Sequence, residues 1–281
     1  MKVIDFRFRP HIKATLEGLA NSPIFRKGLL ANGVNLDLFV AQAQSVEEVT
    51  DQLRKDGIYK AVIVGRDAET TYGFKPNNQD TADFIALAPD LFVGFAGLDP
   101  HKGSESVKTL EDLVTNKGFA GAAIDPIYNK ACLSDACFYP IYDACERLNA
   151  PIVITSGPAR YTPGTIMDYA NPGYIDRVAA DFPNLKIVVS HGGWPYIEEM
   201  MGVAFRNENV FFEASEYELF PGSDNLIKAA SGILSDKMVF ASAHPFVDYR
   251  DAIELYKTLP FSEDVLEKVM WKNAAGVLGI E

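Results

Sequence analysis

Eight short apolar runs recur along the chain, at residues 2–8, 60–64, 91–97, 119–124, 151–155, 186–190, 210–214 and 237–242. Nearly continuous runs of this length read as strands buried on both faces. Between them, at 46–55, 81–88, 105–116, 134–148, 173–181, 196–205, 224–234 and 249–258, lie helix-like stretches. Residues 262–278 add a closing helix that opens Ser-Glu-Asp, a capping residue with acids in the first turn. Strands alternating with helices predict a parallel sheet covered on both sides. Eight such units, with no Gly-rich phosphate loop after the first strand, predict an α/β fold: a (β/α)8 TIM barrel forming a single domain over residues 1–281. The second strand starts 58 residues after the first, against intervals of 24 to 35 later in the chain. Residues 11–45 are therefore expected as a long loop that covers the active site.

Barrel chemistry sits at the C-terminal ends of the strands. That rule selects Arg7, Arg9 and His11 after the first strand, Arg66 and Asp67 after the second, Asp99 after the third and Asp125 after the fourth. Thr155 and Ser156, then His191, Glu213 and Ser215, and finally His244 complete the circuit. In the first strand, alternation assigns Ile4, Phe6 and Phe8 to the helix-facing side and Val3, Asp5, Arg7 and Arg9 to the barrel mouth. Two inward guanidiniums about 6.6 Å apart along a strand repel unless an anion lies between them, and their forked donors match a carboxylate. The plainer alternative is that Asp5 and Glu213 neutralise them in a structural network. His191 ends a strand and precedes two glycines, which leaves space beside an imidazole able to act as acid, base or ligand. Asp125 and Glu213 end apolar strands, where a buried carboxylate serves either catalysis or structure. His101, in a polar turn, is expected to be exposed.

Charge and composition narrow the partners. With 38 acidic and 26 basic side chains the net charge is −12, the wrong sign for a phosphate-backbone binder, so nucleic acid is disfavoured. No run approaches the roughly 18 apolar residues of a membrane span, and charges in the first residues do not suit a signal peptide. The three cysteines, Cys132, Cys137 and Cys145, fall within 14 residues and read as packing rather than zinc ligands. A cytoplasmic protein with a small carboxylate substrate is expected; homo-oligomer formation stays open.

The residues together resemble the amidohydrolase superfamily, in its amidohydrolase-2 branch of aminocarboxymuconate-semialdehyde decarboxylase-like proteins. The resemblance runs through Ile4-Asp5-Phe6-Arg7-Phe8-Arg9-Pro10, the segment from Ile175 through Ser190-His191-Gly192-Gly193, Asn209 through Glu213-Ala214-Ser215, and Asn273 through Leu278. It implies a metal site that this sequence has largely lost. Arg7 and Arg9 stand where the family has His-x-His, Thr155 at a further histidine position and Ala243 at the aspartate position, beside His244; His191 alone is kept. Zinc needs three or more protein ligands, and a guanidinium about 4 Å away costs a cation several kcal/mol. No cofactor is expected; a rearranged zinc site would need His191 with Glu213, Asp125 or His244.

The sequence reading is a hydrolase of a lactone, ester or amide that bears a carboxylate. Arg7, Arg9, His11, Arg66, Thr155, Trp194 and His244 would contact the substrate, and His191, Asp125 or Glu213 would activate water. Metal-free lactone hydrolysis within the superfamily makes this consistent with the resemblance. The alternatives are a non-oxidative decarboxylase of a small unsaturated or aromatic acid and a non-catalytic carboxylate-binding barrel.

Overall fold

Seven strands run parallel and pair in chain order: β1 (Val3–Phe8), β2 (Ile58–Val64), β3 (Phe92–Gly97), β4 (Gly121–Ile124), β5 (Ile152–Ile154), β6 (Ile187–Val189) and β7 (Val210–Phe212). The computed structural model describes residues 1–280. Residues 237–242, expected as an eighth strand, make only one isolated ladder bridge, Phe212 to Met238. They still close the ring: Val239 N donates to Phe212 O at 2.9 Å, and Phe6 N donates to Phe240 O at 2.9 Å. At the top of this seam the Asp5 carboxylate replaces the ladder. It accepts from Ser242 N at 2.9 Å and Ser242 Oγ at 2.5 Å. The fold is a TIM barrel.

Apart from Asp5 and Arg7 in β1 and Tyr59 and Lys60 in β2, the strands carry apolar residues or glycine, as burial on both faces requires. Ile4, Phe6, Val62, Phe95, Ala123, Val153, Val188 and Val239 fill the barrel interior. Val3, Phe8, Ile63, Ile124, Ile154, Val189 and Phe212 pack outward against the helices. Ala274, Ala275 and Val277 of the closing helix join the interior cluster. Among the described residues no helix is long and apolar enough to cross a membrane.

This arrangement corrects the sequence reading of β1. Ile4 and Phe6 point inward and Val3 outward. The register shows why: Asp5 pairs with Ala61 but Phe8 with Ile63, so three steps on β1 oppose two on β2. That bulge re-aims the strand end, and a period-two reading cannot pass through it. Arg7 consequently reaches the mouth by way of the bulge rather than by alternation.

Residues 11–45 are a second correction. They fold into three short helices, α1 (Lys13–Asn21), α2 (Arg26–Ala31) and α3 (Leu36–Ala41), before α4 (Val46–Lys55). Neither α1 nor α2 has a capping side chain, so the usual start signal is missing. α4 carries a full capping box, Ser45 with Glu48, and was legible.

Candidate active site

The strand ends surround a cavity of about 720 Å³. β1 delivers Arg7 and Arg9, and the turn after β2 delivers Arg66. Tyr128 follows β4, Thr155 and Ser156 follow β5, and His191 and Trp194 follow β6. Glu216, Tyr217 and Phe220 come from the segment after β7, and Phe246 from beyond the closing strand. Ile24, Phe25, Leu29 and Asn32, from the α1–α3 segment, form part of the wall. Arg66 is placed by two glycines just before it and across from it: a Cβ on Gly65 would lie 2.3 Å from Gly97 N.

Three arginines dominate the polar wall. Arg7 Nη1 donates to Ser190 Oγ at 2.7 Å and lies 3.9 Å from Glu213 Oε1. Arg66 Nη2 is in ion-pair contact with Asp125 Oδ1 at 2.8 Å. Its guanidinium sits between the rings of Phe25 and Tyr128, 4.8 Å from each centroid. Arg9 lies 5.2 Å from the Phe246 ring. Arg7 Nε, Arg9 Nη1 and Arg66 Nη1 are buried with no hydrogen-bond partner. Buried donors left unpaired cost about 1–3 kcal/mol each. Burial lowers the pKa of Arg7, and it brings that of Arg9, with help from Arg7 and Arg66, to about 9. Arg9 therefore still carries its charge at neutral pH.

His191 presents one defined nitrogen. Its Nδ1 lies 2.9 Å from the Ser215 carbonyl oxygen, which can only accept, so Nδ1 carries the proton and Nε2 the lone pair. Burial first, and the neighbouring Arg7 charge second, hold the imidazole well below its usual pKa. It is a neutral acceptor. The turn beneath it is tight: His191, Gly192 and Gly193 all have left-handed φ, of 59°, 59° and 69°. A Cβ on Gly192 would meet Leu226 Cδ2 at 2.4 Å.

Seven of the residues selected from sequence meet at this cavity: Arg7, Arg9, Arg66, Thr155, Ser156, His191 and Trp194. Asp125 and Glu213, selected as catalytic, do not line it. They stand behind Arg66 and Arg7, each 1% exposed, with Glu213 Oε2 also accepting from Ser215 N at 2.7 Å. Their place is that of counter-charges to the arginines. His11 and His244 are not in the cavity either; they line a separate pocket of about 100 Å³ with Asp248 and Tyr249. His244 is drawn there by stacking on Phe8, ring centroids 4.9 Å apart and 5° from parallel. Asp99 accepts from Thr70 N and Oγ1 and His101 N, and Asp67 pairs with Lys102 at 2.7 Å, so both organise loops.

Sequence reasoning missed Glu216, Tyr128, Tyr217, Phe25 and Phe246. Glu216 lies past the end of β7, where alternation no longer indicates direction. It turns inward through a left-handed backbone, φ 68°, that nothing in its residue type announces.

The sequence model of the amidohydrolase family matches residues 32–280. The chain belongs to the amidohydrolase family. β1, with Arg7 and Arg9, precedes the matched part of this amidohydrolase. A TIM-barrel protein of Bordetella bronchiseptica is similar to it with a TM-score of 0.80 and 29% identity over 99% of each chain. Gamma-resorcylate decarboxylase of Polaromonas sp. is 22% identical, across 70% of this chain and 73% of its own. The crystal structure of a dihydroxybenzoic acid decarboxylase from Polaromonas sp., with bound manganese and 2-nitroresorcinol, shares the fold at a TM-score of 0.69 and 19% identity over 99% of this chain and 96% of that one.

Manganese in that structure raises the question of whether the residues here suit a divalent cation. Among the described residues no group of three or more His, Cys, Asp or Glu is placed to hold one. Three guanidiniums with unpaired N–H groups line the cavity instead, and their charge opposes a cation while inviting an anion. The donor set does not fit a metal.

Proposed function

We propose that this amidohydrolase is a carboxy-lyase that decarboxylates a small planar acid, aromatic or unsaturated, with arginines serving where metal-bearing relatives use a cation. The observation that carries the reading is the convergence of unpaired N–H groups from Arg7, Arg9 and Arg66 on one aromatic-walled cavity. A carboxylate seated there meets three positive charges. Phe25, Tyr128, Trp194 and Phe246 offer flat apolar surface to a ring. The neutral Nε2 of His191 accepts a hydrogen bond from a ring hydroxyl, which raises the electron density of the ring carbons.

Guanidiniums stabilise a carboxylate more than the neutral CO₂ it becomes, so tight ground-state binding alone would slow the reaction. The arginines are therefore assigned to orientation, and acceleration to ring activation and proton delivery. The similarity to decarboxylases of dihydroxybenzoic acid supports this reading over the hydrolase expected from sequence. Asp125 and Glu213, the carboxylates meant to activate water, also stand behind the arginines rather than at the cavity wall.

The test is CO₂ release from gamma-resorcylate and other hydroxybenzoates, alongside a panel of lactones and esters, without added metal. CO₂ release with no hydrolysis is expected. Hydrolysis alone would return the protein to the hydrolase reading, and binding without turnover would make it a carboxylate-binding barrel.

A further inference from the structure

Decarboxylation replaces a carbon–carboxylate bond with a carbon–hydrogen bond and so needs a proton donor, and the cavity residues selected from sequence do not offer one. His191 donates its only N–H to the Ser215 carbonyl and turns a lone pair outward. Asp125 and Glu213 face the arginines from behind. Building on the decarboxylase reading, we propose that Glu216 is the general acid, delivering its carboxyl proton to the ring carbon that carries the leaving carboxylate.

Glu216 lines the same cavity as Arg7, Arg9 and His191. Its carboxyl is in no hydrogen bond or ion pair among the described residues, unlike Asp125 and Glu213. The left-handed backbone at a non-glycine residue, φ 68°, is a conformation that costs energy and is held by the surrounding loop. Burial raises the Glu216 pKa, while the facing Arg9, Arg7 and Arg66 charges lower it and Glu213 raises it again. The net direction is upward, with burial outweighing the arginine charges.

In the step, the Glu216 proton forms a C–H bond at the ring carbon using a pair of ring electrons. The bond from that carbon to the carboxylate then breaks, its electron pair restores the ring, and CO₂ leaves. The Glu216 carboxylate regains a proton from water, so the balance is one aryl carboxylate and one proton consumed, one arene and one CO₂ formed.

The experiment compares wild type with Glu216→Gln and Glu216→Asp in three readouts: CO₂ release from gamma-resorcylate, exchange of the product resorcinol's ring hydrogen with D₂O, and calorimetric binding of 2-nitroresorcinol. Glu216→Gln is expected to lose about 10²- to 10⁴-fold in both CO₂ release and exchange. Its affinity for 2-nitroresorcinol should stay within about threefold, the usual signature of a proton donor rather than a binding group. Glu216→Asp should recover part of the rate. An active wild type with Glu216→Gln within about threefold in turnover overturns this proposal alone, as does a loss confined to binding. A wild type that neither releases CO₂ nor exchanges the hydrogen overturns the decarboxylase reading and this proposal with it.

Discussion

At the scale of single residues, the site is a balance of buried charges, and each charge predicts a different failure. Arg9 has no carboxylate at ion-pair distance, so Arg9→Met should cost about 1.5–3 kcal/mol of carboxylate affinity, the range for a hydrogen bond to a charged group, with little effect on stability. Calorimetry with a benzoate series would check it; unchanged affinity would remove Arg9 from the site. Arg7→Met should behave differently, because buried Glu213 loses its counter-charge. Breaking a buried pair from one side costs about 3–5 kcal/mol, so this variant should also melt early. His191→Asn is expected to lower turnover about 10²- to 10⁴-fold with far less effect on binding, the pattern of a group that acts on the ring.

His244 makes a prediction away from the cavity. Burial, and then the neighbouring His11, bring its pKa down to about 4 from an ordinary 6.5. The folded protein therefore holds fewer protons than the unfolded chain across that interval. Stability is complete above pH 6.5 and is lost as pH falls toward 4, by about 1.4 kcal/mol per pH unit for this group. His244→Phe keeps the stacking on Phe8 and should flatten the slope. Urea titrations at several pH values would show it, and an unchanged slope would assign the effect to other groups.

At the scale of elements, the outline was legible in sequence wherever a local signal existed. The apolar runs of β2 to β7 announced themselves, and the capping box at Ser45 and Glu48 announced α4. What was not legible has physical reasons. The bulge in β1 reversed the facing of Val3, Ile4 and Phe6. Residues 237–242 close the ring through Asp5 and Ser242 rather than through a regular ladder. α1 and α2 form without capping side chains, supported by packing of buried Leu16, Leu19 and Leu29. Of the candidate site, the arginines, Thr155, Trp194 and His191 were readable because they follow strands. Glu216 was not, because a left-handed turn directs it. A close backbone approach at the strand ends is also a test. Gly65→Ala would force a Cβ to 2.3 Å from Gly97 N. We expect a loss of about 3 kcal/mol in urea unfolding, at the upper end for overpacking, together with weakened carboxylate binding as Arg66 shifts.

At the scale of the whole molecule, a chain of net charge −12 encloses a cavity lined by Arg7, Arg9 and Arg66. The outer field repels an anionic substrate while the buried guanidiniums attract it, and salt screens the first more than the second. Over about 0.01 to 0.15 M ionic strength, where the Debye length falls from about 30 to 8 Å, kcat/KM should rise rather than fall. The same guanidiniums decide the central claim, that anion-binding arginines work here in place of a cation. The direct measurement is decarboxylation of gamma-resorcylate by chelator-treated protein, with metal content determined on the same sample. The account predicts an undiminished rate at far below one metal ion per chain. Activity that vanishes on chelation and returns with one equivalent of manganese or zinc would contradict it.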